Sequence, residues 1–190
     1  MILASASPRR KELLLQSGYK FKVIEPEVNE NLKADEDPRD YITRISKEKV
    51  KSVARELDIN EIIIAADTIV LVEGLILGKP KDSHDAKRML DILSGIQHSV
   101  ISGFVIMNTS NNYFHSQTVE TKVTFRNIPP DEIEGYIKTG EPFDKAGAYA
   151  IQGQGASLVK RIEGSYTNVV GLPLAEIVDI LDSIGVDRVY

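Results

Sequence analysis

The chain has 190 residues, 42% of them hydrophobic and 27% charged, with a net charge of −5 and no cysteine. That length suits one soluble domain with a real core, or one domain with two lobes. The composition excludes disulfides and thiolate metal sites, and without a long basic stripe it argues against nucleic-acid and membrane-surface binding. The start Met1-Ile2-Leu3-Ala4 is too short for the apolar core of a signal peptide and runs straight into Arg9. Asp67-Thr68 interrupts the apolar run from Ile62 to Val72, so that run does not span a bilayer. The expectation is a cytoplasmic protein.

In chain order, Met1 to Ala4 reads as a short buried strand, and a helix runs from Pro8 to about Ser17, closed by Gly18. Tyr19 to Glu25 alternates as a second strand that Pro26 ends, and a polar loop passes through Glu27 and Asn31. Pro38 opens a long helix to about Leu57 with Tyr41, Ile42, Ile45, Val50, Val53 and Ala54 on its inner face. Ile62 to Ala66 is a continuous apolar run, the mark of a strand covered on both faces. It extends through Thr68 to Val72, turns at Glu73-Gly74 and returns through Leu75-Ile76-Leu77 to Gly78-Lys79-Pro80. Ser83 caps the next helix, which carries Met89, Leu90, Ile92 and Leu93.

Ser99 to Met107 and Tyr113 to Phe125 read as a long antiparallel hairpin around Asn111-Asn112. Pro129-Pro130 separates it from a helix at Asp131 to Thr139. A Gly- and Ala-rich segment from Lys145 to Gly155 follows, then a strand around Leu158 to Ile162 and a last helix from near Pro173 to Ile184. Helices alternating with central and hairpin strands predict a mixed sheet in an α/β or α+β domain.

Ser5-Ala6-Ser7-Pro8-Arg9-Arg10 carries the first chemical signal. Ser7-Pro8 reads as a helix cap and first helical residue, yet two arginines follow where free N–H groups and the helix dipole favour acidic side chains. Either a bound anion such as phosphate completes this turn, or the pair is solvated at a frayed helix start. Asp67, directly after five apolar residues, would bind a metal, act as a base, or pair with a cation in a structural salt bridge.

Lys79 reads as a point charge for an anion or as part of an ordinary turn. Lys49, in Lys47-Glu48-Lys49, reads from charge pattern as a solvated helix face, and Glu30 as loop surface or a metal ligand. Gln152, between Ile151 and Gly153, offers an amide that can read the imide edge of a pyrimidine, or it is a solvated glutamine beside close sheet packing. The chain contains no Gly-x-x-x-x-Gly-Lys-Ser/Thr, His-Glu-x-x-His or Gly-x-Ser-x-Gly motif. His84, His98 and His115 read as surface or loop residues.

Several motifs then fall in one order over nearly the whole length: the Ser5 to Arg10 turn, Asp67-Thr68-Ile69-Val70, Gly78-Lys79-Pro80 and Leu93-Ser94-Gly95 with His98. The Lys145 to Gly153 run, Gly164-Ser165-Tyr166 and Val169-Val170-Gly171-Leu172-Pro173 complete the series. In these the chain closely resembles the Maf family. The resemblance implies one domain over residues 1–190 with an α/β fold similar to the inosine triphosphate pyrophosphatases (Ham1-like). That fold is an elongated, twisted mixed sheet flanked by helices, with a cleft between two lobes.

The implied enzyme is a nucleoside triphosphate pyrophosphatase, a hydrolase of nucleotide metabolism that cleaves between the α- and β-phosphates. Lys-Ala-Gly-Ala-Tyr-x-Ile-Gln-Gly resembles the branch acting on dTTP and UTP, which extends to modified pyrimidine nucleotides, rather than the 7-methyl-GTP branch. Under this resemblance Asp67 corresponds to the proton acceptor, and Arg9, Thr68 and Gln152 to positions tied to substrate choice.

A pyrimidine triphosphate carries about four negative charges, of which a divalent Mg²⁺ or Mn²⁺ offsets about two. Arg9, Arg10, Lys49 and Lys79 would supply the remaining positive field, with Ser5 and Ser7 bonding phosphate oxygens and Arg10 the phosphate clamp, and Asp67 with Glu30 would hold the metal. The partner is the nucleotide, with no nucleic acid or membrane, and a homodimer is admitted. Val50 stands where Ala is usual and Ser102 where Thr is common. The competing reading is a nucleotide-sensing regulator of septum formation that needs no catalysis.

Overall fold

A computed structural model describes residues 1–55, 57, 60–111 and 113–189. Among these residues seven strands form one sheet: β1 (Ile2–Ala4), β2 (Lys22–Ile24), β3 (Ile62–Val72), β4 (Leu75–Leu77), β5 (Gln97–Asn108), β6 (Tyr113–Phe125) and β7 (Val159–Glu163). The strand order is β2-β1-β3-β5-β6-β7, with β4 paired to β3. The sheet is mixed, as expected: β1 runs parallel to β2 and β3, whereas β4 is antiparallel to β3 and β7 to β6. Among the described residues six helices flank it: α1 (Pro8–Gln16), α2 (Pro38–Arg55), α3 (Ser83–Leu93), α4 (Pro130–Lys138), α5 (Tyr166–Val170) and α6 (Leu174–Ser183). No helix among the described residues is long and apolar enough to cross a membrane.

The chain divides into two compact units. The first comprises Met1–Asp67, Ser102–Val119 and Gly171–Tyr190, and the second Thr68–Ile101 and Glu120–Val170. In the first, α2 turns Val50 and Val53 onto Ile2, Ala4, Ile63, Ala65 and Val105 of the sheet, all at most 1% exposed. These apolar positions recur at helical spacing on α2 and as an unbroken run on β3, which is why both elements are legible. Gly103 on β5 lies so close to α2 that a Cβ there would stand 2.9 Å from the Ile42 carbonyl oxygen. In the second unit, α3 and α4 close a core on Val70, Val72, Leu77, Val100, Val123 and Phe125.

Differences from the predicted elements have local causes. β2 is shorter than Tyr19 to Glu25 because Tyr19 is buried and its hydroxyl donates to Asp182 Oδ1 at 3.3 Å. The α3 cap is Asp82 rather than Ser83, since the Asp82 carboxylate accepts from the Asp85 N–H at 2.8 Å. α2 ends at Arg55, two residues before Leu57, and α4 begins at Pro130 with Pro129 as its cap. Asn112 of the predicted hairpin turn lies outside the described residues.

Short 3-10 turns at Glu141–Asp144, Ala146–Ala148 and Gly153–Leu158 organise the Gly- and Ala-rich segment. α5 has no sequence signal, being short and rich in β-branched residues. It forms because the Asn168 N–H donates to Ser165 Oγ and the buried Asn168 amide donates to the Val100 carbonyl and Thr121 Oγ1.

Of the three histidines, only His84 follows the expectation of a surface or loop residue. His84 is exposed on α3, but His115 is half-buried on β6 with its ring 5.7 Å from that of Phe104. His98, on β5, is 2% exposed, and its Nε2 shares a 2.8 Å hydrogen bond with the Tyr149 hydroxyl. Phe125 and Tyr149 meet its ring edge-on at 5.0 and 5.4 Å.

Burial pushes His98 down to about 4 from its ordinary value of 6.5. The unfolded chain therefore takes up this proton near pH 6.5 and the folded chain only near pH 4. Its contribution is complete above pH 6.5 and is lost as pH falls toward 4, by at most about 1.4 kcal/mol per pH unit. Urea denaturation across that window should show a shallower pH slope, by about one proton, in His98→Gln.

Candidate active site

Four charged side chains of the first unit meet beside β3. Asp67 Oδ1 lies 2.8 Å from Lys49 Nζ and 3.9 Å from Arg10 Nη2, and Glu30 Oε1 lies 2.6 Å from the same Lys49 ammonium. Lys49 is therefore not on a solvated face: its side chain is 7% exposed, on the inner face of α2 among Ile42, Ile45 and Val53. Charge pattern misread it because Lys51 beside it is exposed and Lys47 is only half-buried over the Phe114 ring, and only the 3.6-residue period separates the three. A buried ammonium is tolerable here because two carboxylates compensate it.

Arg10 is 9% exposed, so the pair at the helix start is not simply solvated. Its Nε donates to the Gly171 carbonyl at 2.7 Å, and its Nη1 to Ser5 Oγ at 3.5 Å. Burial lowers its pKa, the Asp67 carboxylate works to raise it, and the Arg9 charge lowers it further. The turn that presents Arg10 is built by its two serines. Ser5 Oγ accepts the Ser7 N–H at 3.1 Å, and Ser7 Oγ caps α1 by accepting the Arg10 N–H at 3.4 Å. Arg9 is half-buried on the first turn of α1.

Glu30 belongs to an irregular segment, yet its position is held. Tyr41 donates its hydroxyl to the Glu30 carbonyl at 2.8 Å, and Arg44 donates to the Asn31 carbonyl at 3.1 Å. Arg44 also grips Glu36 through two bonds of 2.6 and 2.7 Å, holding that carboxyl at about 2. Burial raises Tyr41 to about 12, helped by the negative charges of Asp67 and Glu30. Sequence reasoning missed Tyr41 and Arg44, which position Glu30. The available signal was their i,i+3 spacing on the helix that follows the loop.

Among the described residues no group of three or more His, Asp or Glu stands together as a metal cage. The donor set is two carboxylates, Asp67 and Glu30, converging on one cation. That set fits a hard divalent ion held by one or two carboxylates and completed by substrate oxygens and water.

The second unit holds the remaining predicted residues. Thr68 follows Asp67 on β3 and is half-buried, and Lys79 and Gln152 are exposed. Their segments are docked to each other, since the Gly147 N–H donates to the Gly78 carbonyl at 3.0 Å. Gly147 has φ of +69°, and a Cβ there would stand 2.8 Å from Val70 Cγ2. Leu93-Ser94-Gly95 has a structural part: Ser94 Oγ accepts the Ile128 N–H at 2.8 Å, and Gly95 turns at φ +76°.

Removing the shared ammonium leaves Asp67 and Glu30 without it, with Arg10 at 3.9 Å from Asp67. Lys49→Met should lower stability by about 1–3 kcal/mol at neutral pH, the range reduced because Glu30 is 45% exposed. Urea denaturation measures it.

The model of the Maf-like protein family matches residues 1–184. A dTTP/UTP pyrophosphatase of Geotalea uraniireducens is 51% identical over 185 residues, covering 97% of this chain and 95% of that one. The dTTP/UTP pyrophosphatase of Vibrio cholerae is 48% identical over 176 residues, covering 93% of each chain. Among solved structures, a nucleoside-triphosphatase/dITP/XTP pyrophosphatase of Mycobacterium abscessus is 15% identical, covering 97% of this chain and 94% of that one at a TM-score of 0.44, too loose a superposition to speak for function. With nearly its full length matched by the family model and half its residues shared with such relatives, the chain belongs to the Maf-like protein family.

Proposed function

We propose that this protein hydrolyses dTTP and UTP to the monophosphate and pyrophosphate. The observation that carries the reading is a carboxylate, Asp67, held between two buried cations in a chain 51% identical to a dTTP/UTP pyrophosphatase. A protein that only sensed nucleotides would need cations and a base reader, and would gain nothing from a carboxylate beside a polyphosphate.

In this mechanism Asp67 Oδ1 is engaged by Lys49, which fixes the carboxylate plane, and Oδ2 takes the proton of the attacking water. The water oxygen bonds to the α-phosphorus, the bridging P–O bond to the β-phosphate breaks, and pyrophosphate leaves with the bond's electrons. Asp67 and Glu30 would hold a Mg²⁺ or Mn²⁺, which supplies charge neutralisation at the phosphates when bound.

Arg10 keeps its direction through the Gly171 carbonyl and presents positive charge to the leaving group, with Lys79 as a further phosphate contact. The Ser5 hydroxyl accepts bonds from Ser7 and Arg10, which leaves its own proton to donate to a phosphate oxygen, and we give Ser7 the same part. Arg9 and Thr68 contribute to substrate choice. Gln152 reads the imide, its oxygen accepting from N3–H and its amide donating to the neighbouring carbonyl oxygen. We place the reaction in the cytoplasm.

Wild-type protein with Mg²⁺ or Mn²⁺ should release pyrophosphate from dTTP and UTP faster than from CTP or GTP. Asp67→Asn should lose roughly 10²–10⁴-fold in turnover while its circular dichroism stays native. Full activity in that variant overturns the role of Asp67, and no release from any nucleotide by the wild type overturns the enzymatic reading.

A further inference from the structure

Gln152 is exposed and extended, at φ −100° and ψ 168°, immediately before the short 3-10 turn Gly153–Leu158. A side-chain amide offers a donor at one end and an acceptor at the other, so a mobile one can serve either pyrimidine pattern. Uracil and thymine present N–H flanked by carbonyl oxygens, whereas cytosine presents a bare nitrogen beside an amino group. Telling them apart needs a fixed backbone under the amide.

One carboxylate and one phenol supply that fixation. Glu141 accepts the Gln154 N–H on Oε2 at 3.0 Å and the Gly155 N–H on Oε1 at 3.0 Å. Tyr136, on α4, donates its hydroxyl to Glu141 Oε1 at 2.9 Å and accepts the Ala150 N–H at 3.3 Å. Residues 150 and 154 are thus tied to the same pair of side chains, with Gln152 midway between them. The backbone presses on this pair closely enough to require glycine. A Cβ at Gly153, whose φ is +66°, would stand 2.7 Å from Glu141 Oε2, and one at Gly155 would stand 2.6 Å from Tyr136 Oη.

Glu141 is itself anchored. Its N–H donates to Thr139 Oγ1 at 3.1 Å, and Lys145 Nζ donates to its carbonyl at 2.6 Å. Burial works against its charge, but the two backbone N–H groups and the Tyr136 hydroxyl hold its carboxyl below the usual range. On the other side, the His98–Tyr149 bond seats the residue just before Ala150.

We propose that Glu141 and Tyr136 are a positioning pair that fixes the backbone under Gln152 and so sets the choice of uracil and thymine over cytosine nucleotides. This inference rests on the pyrimidine triphosphate reading given above. Neither residue touches the nucleotide; both act through Gln152.

The test is the ratio of kcat/KM for dTTP to that for CTP. In Glu141→Gln the amide offers one acceptor oxygen to a set of three donors and turns its own N–H toward the rest. The ratio should fall roughly tenfold, chiefly through a raised KM for dTTP with kcat little changed. Tyr136→Phe keeps the ring and removes only the hydroxyl, and should lower the ratio about threefold. If Glu141→Gln does not fold, Tyr136→Phe decides alone.

A merely structural role would lower melting temperature and slow all nucleotides alike with the ratio intact, and that result overturns the proposal. The exposed neighbour Glu134→Gln should leave the ratio unchanged, and an equal change there overturns the proposal as a general charge effect. A wild type that hydrolyses neither nucleotide removes the underlying reading and this inference together. A discriminating wild type with equally discriminating variants removes this inference alone.

Discussion

The buried ammonium of Lys49 is the constraint from which the rest of the first unit follows. A lysine 7% exposed among isoleucines and valines must be paired where it stands, and it takes two carboxylates, Asp67 at 2.8 Å and Glu30 at 2.6 Å. Asp67 lies at the end of a fully apolar run, so α2 must pack on β3 in the register that brings Lys49 there. Val50 and Val53 against Ile63 and Ala65 enforce that register. Glu30 comes from a segment without helix or strand, which must fold back on α2. Tyr41 and Arg44 hold it there by bonding the backbone carbonyls of Glu30 and Asn31.

The same economy of charge explains the basic start of α1. Two arginines in a first turn oppose the helix dipole, a local cost of a few tenths of a kcal/mol each. Arg10 offsets it by donating to the Gly171 carbonyl and standing 3.9 Å from Asp67. Ser5 and Ser7 shape the turn through their own hydroxyls rather than leaving them unengaged. The result is a carboxylate midway along β3 with two cations beside it, an arrangement in which further negative charge from a phosphate meets positive field rather than repulsion.

The second unit organises its functional segment differently, through backbone contacts that only glycine permits. Gly147 bonds the turn of Gly78 and packs on Val70, while Gly153 and Gly155 press against Glu141 and Tyr136. Ala148, fully buried, sits at φ +59°, a left-handed conformation that costs a non-glycine residue of the order of 1 kcal/mol. These glycines leave no room for a side chain, and hydrogen bonds to Tyr136 and Glu141 tie the backbone on both sides of Gln152. Anchoring of this kind suits an amide that must tell one base edge from another.

Period and punctuation made most elements legible. The apolar run Ile62–Ala66, the helical spacing of Tyr41, Ile42 and Ile45, and the Glu73-Gly74 turn each encode their element locally, the turn by placing both residues at positive φ. Ser7-Pro8 likewise announced α1. Of the candidate site, Arg10 and Asp67 stand out by breaking local rules, a basic helix start and a carboxylate after an apolar run.

What stayed hidden was whatever depends on long-range partners. Lys49 looks like its solvated neighbours until α2 is packed, His98 looks like a surface residue until Tyr149 meets it, and α5 has no propensity until Asn168 reaches Val100 and Thr121. Glu141 reads as an ordinary acidic residue before a proline, because the donors that occupy it lie 13 and 14 residues away. Local sequence thus specifies most of the elements and the chemical types available to the site. Which charges are buried and paired follows from packing, because burial and pairing are properties of neighbours that adjacent residues do not encode.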